Sequence, residues 1–254
     1  MNKTPLYHEH EKLNAKIVDF AGYLMPVYYD SIIHEHQAVR NACGLFDISH
    51  MGELVIKGPD AFDFLQYLIP NNLSKLYDGK ILYTPLCNEN GGVVDDILIY
   101  RYSQDHYFIV VTASNIKKVN DWFASHAKSY NLTLENKSSE LSMVAIQWPK
   151  SAEVLNAMGF SIQDLKYYCF KETTYNKFKT ILSRTGYTGE QGFELIIPNE
   201  AAVMVWKDSM KYGSPLGLKP IGLGARDTLR LEVCFSLYGH ELNDDISPLE
   251  ADLA

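Results

Sequence analysis

The chain has 254 residues, a length that accommodates one large domain or two small ones. Its residues are 46% hydrophobic, 21% charged and 12% aromatic, which excludes a disordered or fibrous protein because enough apolar side chains are present to form a core. The net charge of −8 argues against a general nucleic-acid-binding protein, since such proteins normally carry a basic excess.

The spacing of apolar residues predicts alternating helices and strands along the whole chain. In the first part we expect a helix capped by Ser31 and stopped by Gly44, strands at 45–48 and 53–57, a helix at 61–68, strands at 81–86, 93–102 and 107–112, a helix at 115–127, strands at 132–135 and 141–146, and a helix between 149 and 158. In the second part we expect strands near 167–170, 179–183 and 193–197, a helix at 200–210, a loop at 213–219 and a helix at 223–232. Hairpins mixed with helices predict an α+β fold with largely antiparallel sheets flanked by helices. No Gly/Ser-rich linker is present, so two units would be interleaved along the chain.

Targeting and metal-binding signals are weak. The amino terminus has no apolar stretch typical of a signal peptide, and the longest β-rich apolar run, at 107–111, is far too short to cross a bilayer. The four cysteines are widely spaced and match neither a zinc site nor a redox motif, and the histidine pairs at 8/10 and 34/36 lack further ligands. We therefore expect a cytoplasmic protein without a membrane segment, a nucleic-acid partner or a metal.

Two adjacent acids, Asp95 and Asp96, interrupt an otherwise apolar strand. Successive strand side chains face opposite sides of a sheet, so Asp96 would share its face with Val94 and Leu98. A carboxylate there is costly to bury unless it meets a hydrogen-bond donor or a cationic ligand. The residues alone leave two readings open, a functional acid and a bulge or edge position.

Two glycine-containing segments are further candidates. Glycines at 186, 189 and 192 precede Glu194, and such residues allow a tight turn or a close approach to a ligand, while Tyr187 offers a flat ring with a polar tip. The segment matches neither a Walker loop nor a dinucleotide fingerprint, so it is either a structured hairpin or a binding loop. Arg226 follows paired glycines at the start of a predicted helix, where it would bind a carboxylate or carbonyl group or remain solvated.

Six segments occur together in this chain: Thr-Pro-Leu at 4–6, Val-Asp-Phe-Ala-Gly at 18–22, Gly-Leu-Phe-Asp-Ile-Ser-His-Met-Gly at 44–52, Asn-Glu-Asn-Gly-Gly-Val-Val-Asp-Asp at 88–96, Ser-Arg-Thr-Gly-Tyr-Thr-Gly-Glu at 183–190 and Gly-Leu-Gly-Ala-Arg-Asp at 222–227. In their order and spacing they resemble the aminomethyltransferase family, the T-proteins of the glycine cleavage system. The resemblance covers essentially the whole chain.

This resemblance implies a folate-binding fold and a tetrahydrofolate-dependent reaction. The lipoyl arm of H-protein presents an aminomethyl group, and its one-carbon unit passes to tetrahydrofolate, which gives 5,10-methylenetetrahydrofolate and ammonia. The resemblance makes Asp96 the catalytic carboxylate, Glu194 the acid that pairs with the pterin edge, and Arg226 a folate-contacting residue. The other positions that it places at or near the folate site are Met51, Tyr83, Tyr100, Thr112, Tyr168 and Tyr187. Tetrahydrofolate would be a co-substrate, lipoylated H-protein the partner, and no metal is implied.

The resemblance also predicts the domain organisation. Residues 1–50 plus 140–254 would form a discontinuous first unit, into which residues 51–139 are inserted. Family members continue into a third, barrel-like domain, which we expect to be absent here because the sequence stops at Ala254. Trp148 stands where relatives usually have Gly and is expected to crowd a close backbone contact. Thr112 stands where they commonly have Asn and is expected to remove one hydrogen bond from the pocket.

Two other functions remain open at this point. One is another folate-dependent relative, such as a demethylase or the folate domain of a sarcosine or dimethylglycine dehydrogenase, although the latter usually add a flavin domain and no dinucleotide fingerprint is present. The other is a non-catalytic folate-binding or iron–sulfur-assembly protein. That branch typically carries a reactive-cysteine motif in the glycine loop, where this chain reads Arg-Thr-Gly-Tyr at 184–187.

Overall fold

The computed structural model describes residues 1–253. Their strands are β1 (Asn2–Lys3), β2 (Lys16–Phe20), β3 (Tyr23–Tyr28), β4 (Cys43–Asp47), β5 (Gly52–Lys57), β6 (Ile81–Cys87), β7 (Val93–Ser103), β8 (His106–Val111), β9 (Thr133–Asn136), β10 (Leu141–Gln147), β11 (Phe170–Tyr175), β12 (Phe178–Ser183), β13 (Gly192–Pro198) and β14 (Leu218–Ile221). Their helices are α1 (Tyr7–Lys12), α2 (Ile32–Asn41), α3 (Ala61–Leu68), α4 (Ile116–His126), α5 (Ser151–Ala157), α6 (Asn199–Gly213) and α7 (Leu223–Glu232).

The strands form three sheets with the orders β1-β3-β2, β11-β12-β13-β10-β4-β14 and β6-β7-β8-β5-β9. Within these sheets every pairing is antiparallel except β1 with β3 and β4 with β14. Short hairpins account for much of this pattern, since antiparallel neighbours need only a brief connection. The predicted α+β class with largely antiparallel sheets is confirmed.

Contacts group the chain into two units, Met1–His50 with Glu140–Phe235, and Met51–Ser139 with the segment that begins at Ser236. The last segment therefore lies with the inserted residues, whereas the sequence analysis placed it with the first unit. The physical reason is backbone hydrogen bonding to the inserted residues: the backbone N–H of Val93 donates to the carbonyls of Asn243 (2.9 Å) and Ile246 (3.0 Å). Lys118 also pairs with Asp244 at 3.1 Å.

In the first unit, α6 shows why a helix forms and packs where it does. Its buried side chains recur on one face, as expected for an amphipathic helix against a sheet: Ala201, Ala202, Val205, Trp206 and Ser209. Trp206 is fully buried and belongs to the same apolar cluster as Leu45 of β4 and Leu195 of β13. This cluster holds α6 against the six-stranded sheet.

A buried polar network attaches the amino-terminal helix to β4. The side chains of Thr4 and His10 donate to Asp47 at 2.7 and 2.8 Å, and the hydroxyl of Tyr29 lies 2.9 Å from the other ring nitrogen of His10. Each buried polar atom thus has a partner, which avoids the desolvation cost of an unpaired group. The network gives a structural reason for the presence of Thr4 and Asp47 in two of the sequence motifs.

In the second unit, α3 and α4 share an apolar cluster with one face of the five-stranded sheet. Phe64 and Phe123 meet edge to face at 5.7 Å, and Ile97 and Ile99 of β7 belong to the same cluster. Val94, predicted on the opposite face with Asp96, also lies in this cluster, because the register between β6 and β7 shifts at Leu86/Cys87.

Several elements agree with the predicted ones, and others differ. Helix α1 was not predicted, and α2 ends at Asn41, so that Gly44, which was expected to stop it, lies in β4. Ser31 caps α2, since its side chain accepts a hydrogen bond from the backbone N–H of His34. The hairpin of β2 and β3 was not predicted. Its two-residue turn needs positive φ at Ala21 (51°) and Gly22 (80°). Because alanine rarely adopts positive φ, its presence does not indicate such a turn.

Two further differences concern β11 and β14. The strand expected near 167–170 begins at Phe170, because Tyr168 has φ +54° and cannot continue a ladder. The loop expected at 213–219 contains β14, which pairs in parallel with β4. Such a strand is held by a partner far away in the sequence and has no local signal.

Trp148, which stands where the resemblance leads one to expect glycine, has an unusual backbone conformation. Its backbone has φ +40°, which glycine adopts without strain and other residues rarely adopt. The indole N–H of Trp148 donates to the carbonyl of Arg40 at 2.9 Å. The large side chain is therefore accommodated by a hydrogen bond of its own, while the backbone keeps a left-handed conformation.

Candidate functional site

Asp96 lies on the sheet face opposite the apolar cluster, together with Leu98 and Tyr100 of β7 and Tyr83 of the paired strand β6. The hydroxyl of Tyr83 donates to Oδ2 of Asp96 at 3.1 Å, which fixes the orientation of the carboxylate. Tyr100 is fully buried and packs edge to face on Phe108 at 5.7 Å. The structure therefore brings three of the predicted site residues, Tyr83, Asp96 and Tyr100, onto one face of one sheet.

Asp95 points to the other side of β7 and is fully buried. Its two carboxyl oxygens accept hydrogen bonds from the backbone N–H of Thr112 (2.9 Å) and from the side-chain amide of Asn115 (2.7 Å). Burial, together with the neighbouring charge of Asp96, raises the pKa of Asp95 to about 7, although the two hydrogen bonds oppose this rise. The two adjacent acids thus have different surroundings and different partners.

Met51 and Thr112, two further predicted site residues, belong to the same unit as Asp96 and are half-buried. Glu53, which no motif singled out, is fully buried nearby in sequence on β5, and neither of its carboxyl oxygens has a hydrogen-bond partner among residues 1–253. Burial holds the pKa of Glu53 well above its usual range. Such burial disfavours the charged form of the carboxyl group.

Glu194, in β13 of the other unit, lies beside a hollow of about 260 Å³ that Tyr187, Arg226 and Phe46 also line. Its side chain is 8% exposed, and the hydroxyl of Thr185 donates to its Oε2 at 2.5 Å. Burial raises the pKa of Glu194, while the hydrogen bond from Thr185 and the charge of Arg226 act in the opposite direction. This volume includes open solvent, so it describes a shallow hollow at the surface and not an enclosed cavity.

Arg226 and the tyrosines give this hollow an aromatic and cationic border. The guanidinium of Arg226 lies 5.1 Å from the ring centre of Tyr187, and that ring stacks on Phe235 at 5.9 Å. Tyr168 lies in the same unit, is half-buried and has its pKa raised by burial and by the neighbouring Tyr167. The structure therefore gathers Tyr187, Glu194 and Arg226 around one hollow.

Gln147, in β10, holds the loop that contains the glycines at 186, 189 and 192 (the glycine loop) through side-chain hydrogen bonds. No sequence pattern indicated this role. Its side-chain N–H groups donate to the carbonyls of Thr185 (3.2 Å) and Phe193 (3.4 Å), and its carbonyl accepts from the hydroxyl of Thr188 (3.3 Å). Two of the loop glycines are explained by the same contact. A Cβ at position 186 or 192 would come within 2.0 or 2.2 Å of the Gln147 side chain.

His50 is another residue that sequence reasoning missed. It is fully buried beside the ring of Phe20 at 5.5 Å, and neither ring nitrogen has a hydrogen-bond partner in the described part of the chain. Burial, followed by the positive charge of Arg226, lowers the pKa of His50 to about 3. His50 is therefore a neutral side chain throughout the physiological pH range and cannot supply a proton there.

This burial predicts an acid-sensitive fold. Below pH about 6.5 an unfolded chain binds a proton at His50, whereas the folded chain does not until about pH 3, so stability falls as the pH decreases through this window. The loss at pH 5 is expected to reach about 2 kcal/mol, and it should disappear in His50→Gln. Urea unfolding between pH 7.5 and 4.5 measures it, with the exposed His240→Gln as the matched control. Equal pH slopes for wild type and His50→Gln would contradict the expectation.

The described residues contain neither a metal-ligand cluster nor a membrane-spanning helix. Among residues 1–253, no three His, Cys, Asp or Glu side chains are grouped so that they could hold a metal ion. No helix in the same residues is long and apolar enough to span a membrane.

Comparison with known proteins places the chain. The sequence profile described as the GCVT N-terminal domain matches residues 6–254. The aminomethyltransferase of Caldanaerobacter subterraneus is 52% identical over 255 residues, which cover 100% of this chain and 68% of that protein. The chain belongs to the aminomethyltransferase family. A second relative, the aminomethyltransferase of Chloroherpeton thalassium, is 50% identical, with 100% of this chain and 70% of that protein covered.

Solved structures support the same family fold. The crystal structure of glycine cleavage system aminomethyltransferase T from Bartonella henselae superposes with a TM-score of 0.92 at 32% identity, covering 99% of this chain and 68% of that one. Heterotetrameric sarcosine oxidase from Corynebacterium sp. shares the fold alone, with a TM-score of 0.58 and 12% identity over 85% of this chain and 96% of that one. The predicted resemblance to aminomethyltransferases is thus confirmed, while the roles of individual site residues stay predictions.

Proposed function

We propose that this member of the aminomethyltransferase family transfers the one-carbon unit of the aminomethyl group on lipoylated H-protein to tetrahydrofolate, with release of ammonia. The observation that carries the proposal is the hollow beside Glu194, where a buried carboxylate, a guanidinium and a tyrosine ring converge. Family membership supports the reaction class.

The residues around this hollow suit a pterin. The aminopyrimidine edge of a pterin presents adjacent N–H donors, and a carboxylate accepts such a pair in a bidentate geometry. Thr185 holds Oε2 of Glu194 in place, and the flat ring of Tyr187 offers an aromatic surface for the ring system. Arg226 supplies a donor for a carbonyl group of the ligand.

Asp96 would act where the reaction develops positive charge. When bound, tetrahydrofolate supplies the N5 and N10 nitrogens that accept the one-carbon unit. As the bond between the aminomethyl carbon and the lipoyl sulfur breaks, positive charge develops on that carbon, and a carboxylate held by Tyr83 would stabilise it.

The overall reaction balances. Two carbon–nitrogen bonds to tetrahydrofolate form, and the carbon–sulfur and carbon–nitrogen bonds of the aminomethyl group break. The two protons that leave N5 and N10 pass to the departing nitrogen and sulfur, which gives ammonia and dihydrolipoyl H-protein.

Calorimetry with tetrahydrofolate, followed by an assay with aminomethyl-loaded H-protein, tests the proposal. Binding with turnover supports it. Binding without turnover would instead indicate a non-catalytic folate-binding protein, and turnover of a methylated amine would indicate a demethylase-type relative.

Glu194→Gln is the sharpest binding variant. It keeps the shape of the side chain but replaces one acceptor oxygen by a donor that faces the donors of the pterin edge. Because hydrogen bonds to charged groups contribute about 1.5–3 kcal/mol, the Kd for tetrahydrofolate is expected to rise by about 10- to 100-fold. Glu190→Gln, an exposed acid of the same loop, is the matched control and should bind like the wild type. Unchanged affinity of Glu194→Gln would remove Glu194 from the site.

A further inference from the structure

Asp95 connects β7 to the segment that links β8 to α4. Its carboxylate receives the backbone N–H of Thr112, the first residue after β8, and the side-chain amide of Asn115, the residue before α4. No cationic side chain pairs with Asp95 among the described residues. Both carboxyl oxygens are thus used to hold one short segment.

The held segment follows directly on β8, which pairs with β7. This antiparallel pairing reaches as far as Leu98 opposite Val110, and neither Asp96 nor Thr112 is part of it. The strand β8 ends at Val111, and the N–H of Thr112 goes to the side chain of Asp95 instead of the backbone of β7. Beyond the end of this ladder, the link from Thr112 to β7 is therefore made by the side chain of Asp95, the chain neighbour of Asp96.

We propose that Asp95 is a positioning residue for one-carbon transfer, because it fixes Thr112 and the start of α4 to β7 at the residue next to Asp96. The inference rests on the proposed function for its catalytic part. Asp95 itself faces the apolar side of the sheet and does not touch the substrate. The two residues that Asp95 binds, Thr112 and Asn115, precede a short 3₁₀ helix (Ala113–Asn115) and α4. A carboxylate is favourable there, since the first backbone N–H groups of a helix carry partial positive charge.

Variants that add a carboxyl group at position 115, or move it there from position 95, test whether Asp95 fixes this segment. Asn115→Asp places a second carboxyl group against the first, and at pH 8.5 their repulsion should release the segment. We expect the hydrogen exchange of the Thr112 amide to accelerate about tenfold and kcat for transfer to fall by about 10- to 100-fold, as expected for a misplaced group, while the Kd for tetrahydrofolate changes less than threefold. The double variant Asp95→Asn/Asn115→Asp restores one donor–acceptor pair and should return both quantities to within about threefold of wild type.

The controls separate this hold from general destabilisation. All variants are compared well below their unfolding temperatures, and Asn90→Asp, an exposed residue of the same unit, should behave as the wild type. Wild-type exchange at Thr112 in Asn115→Asp, wild-type kcat in that variant, or no recovery in the double variant would each overturn the inference. If the wild-type chain shows no transfer, the proposed function and the catalytic part of the inference both fail, whereas exchange at Thr112 still decides whether Asp95 holds the segment.

Discussion

Asp96→Asn is expected to lower the rate of one-carbon transfer by about 10²- to 10⁴-fold, the usual effect of removing a positioned acid, base or charge. The substitution keeps the shape of the side chain, and the amide oxygen can still accept the hydrogen bond from Tyr83. Only the negative charge is lost. The affinity for tetrahydrofolate should therefore remain within about threefold of wild type, because the proposed pterin contacts involve other residues.

Single-turnover kinetics with aminomethyl-loaded H-protein measure this effect apart from binding. Tyr83→Phe removes the hydrogen bond to the carboxylate but keeps its charge, so a smaller loss of about tenfold is expected. Asp105→Asn, an exposed acid in the turn between β7 and β8, serves as the matched control. A near-native transfer rate for Asp96→Asn would show that this carboxylate does not act in the reaction.

Gln147→Glu is expected to lower the free energy of unfolding by about 3–5 kcal/mol at pH 8, the range for an uncompensated buried charge. The N–H groups that donate to the carbonyls of Thr185 and Phe193 would be replaced by an oxygen that faces them. Because the side chain is 1% exposed, water cannot solvate the new charge. The glycine loop would then separate from β10, and the hollow beside Glu194 would lose one wall.

The pH dependence distinguishes this cause from a loss of packing. At pH 5 a protonated carboxyl group regains one donor, so the destabilisation by Gln147→Glu should become smaller as the pH decreases. Gln147→Met removes the hydrogen bonds without adding a charge, and it should cost about 1–3 kcal/mol at both pH values. Urea unfolding of the three proteins provides the comparison. An equal cost for Glu and Met at pH 8 would contradict the charge argument.

Local patterns predicted much of the secondary structure. The β-rich apolar stretches of β6, β7 and β8 were visible because many of their side chains are buried, and α2 was visible because Ser31 caps it. The adjacent acids of β7 were correctly placed on opposite faces, since the two-residue period of a strand permits nothing else. A local bulge moved Val94 to the other face, which no periodicity indicates.

The parts that could not be predicted depend on distant partners. Gln147 has no unusual neighbour in sequence, yet it contacts carbonyls 38 and 46 residues further along the chain. His50 lies within the motif at 44–52, and nothing in the sequence distinguishes it from an exposed histidine. Only the structure shows that both of its ring nitrogens are buried without a hydrogen-bond partner. The segment from Ser236 on joins the second unit through backbone hydrogen bonds to Val93, which carry no side-chain signature.

The amino-acid sequence alone determined the α+β class, the family, and the residue types that could handle a folate, because period, turn chemistry and ordered motifs are local properties of the chain. The tertiary structure decided which polar groups are paired and which are buried alone. It brought two amide donors to Asp95, placed the Gln147 side chain against Gly186 and Gly192, and buried His50 so that its pKa falls. Those properties arise from desolvation and from contacts between distant segments, and neither exists until the chain has folded.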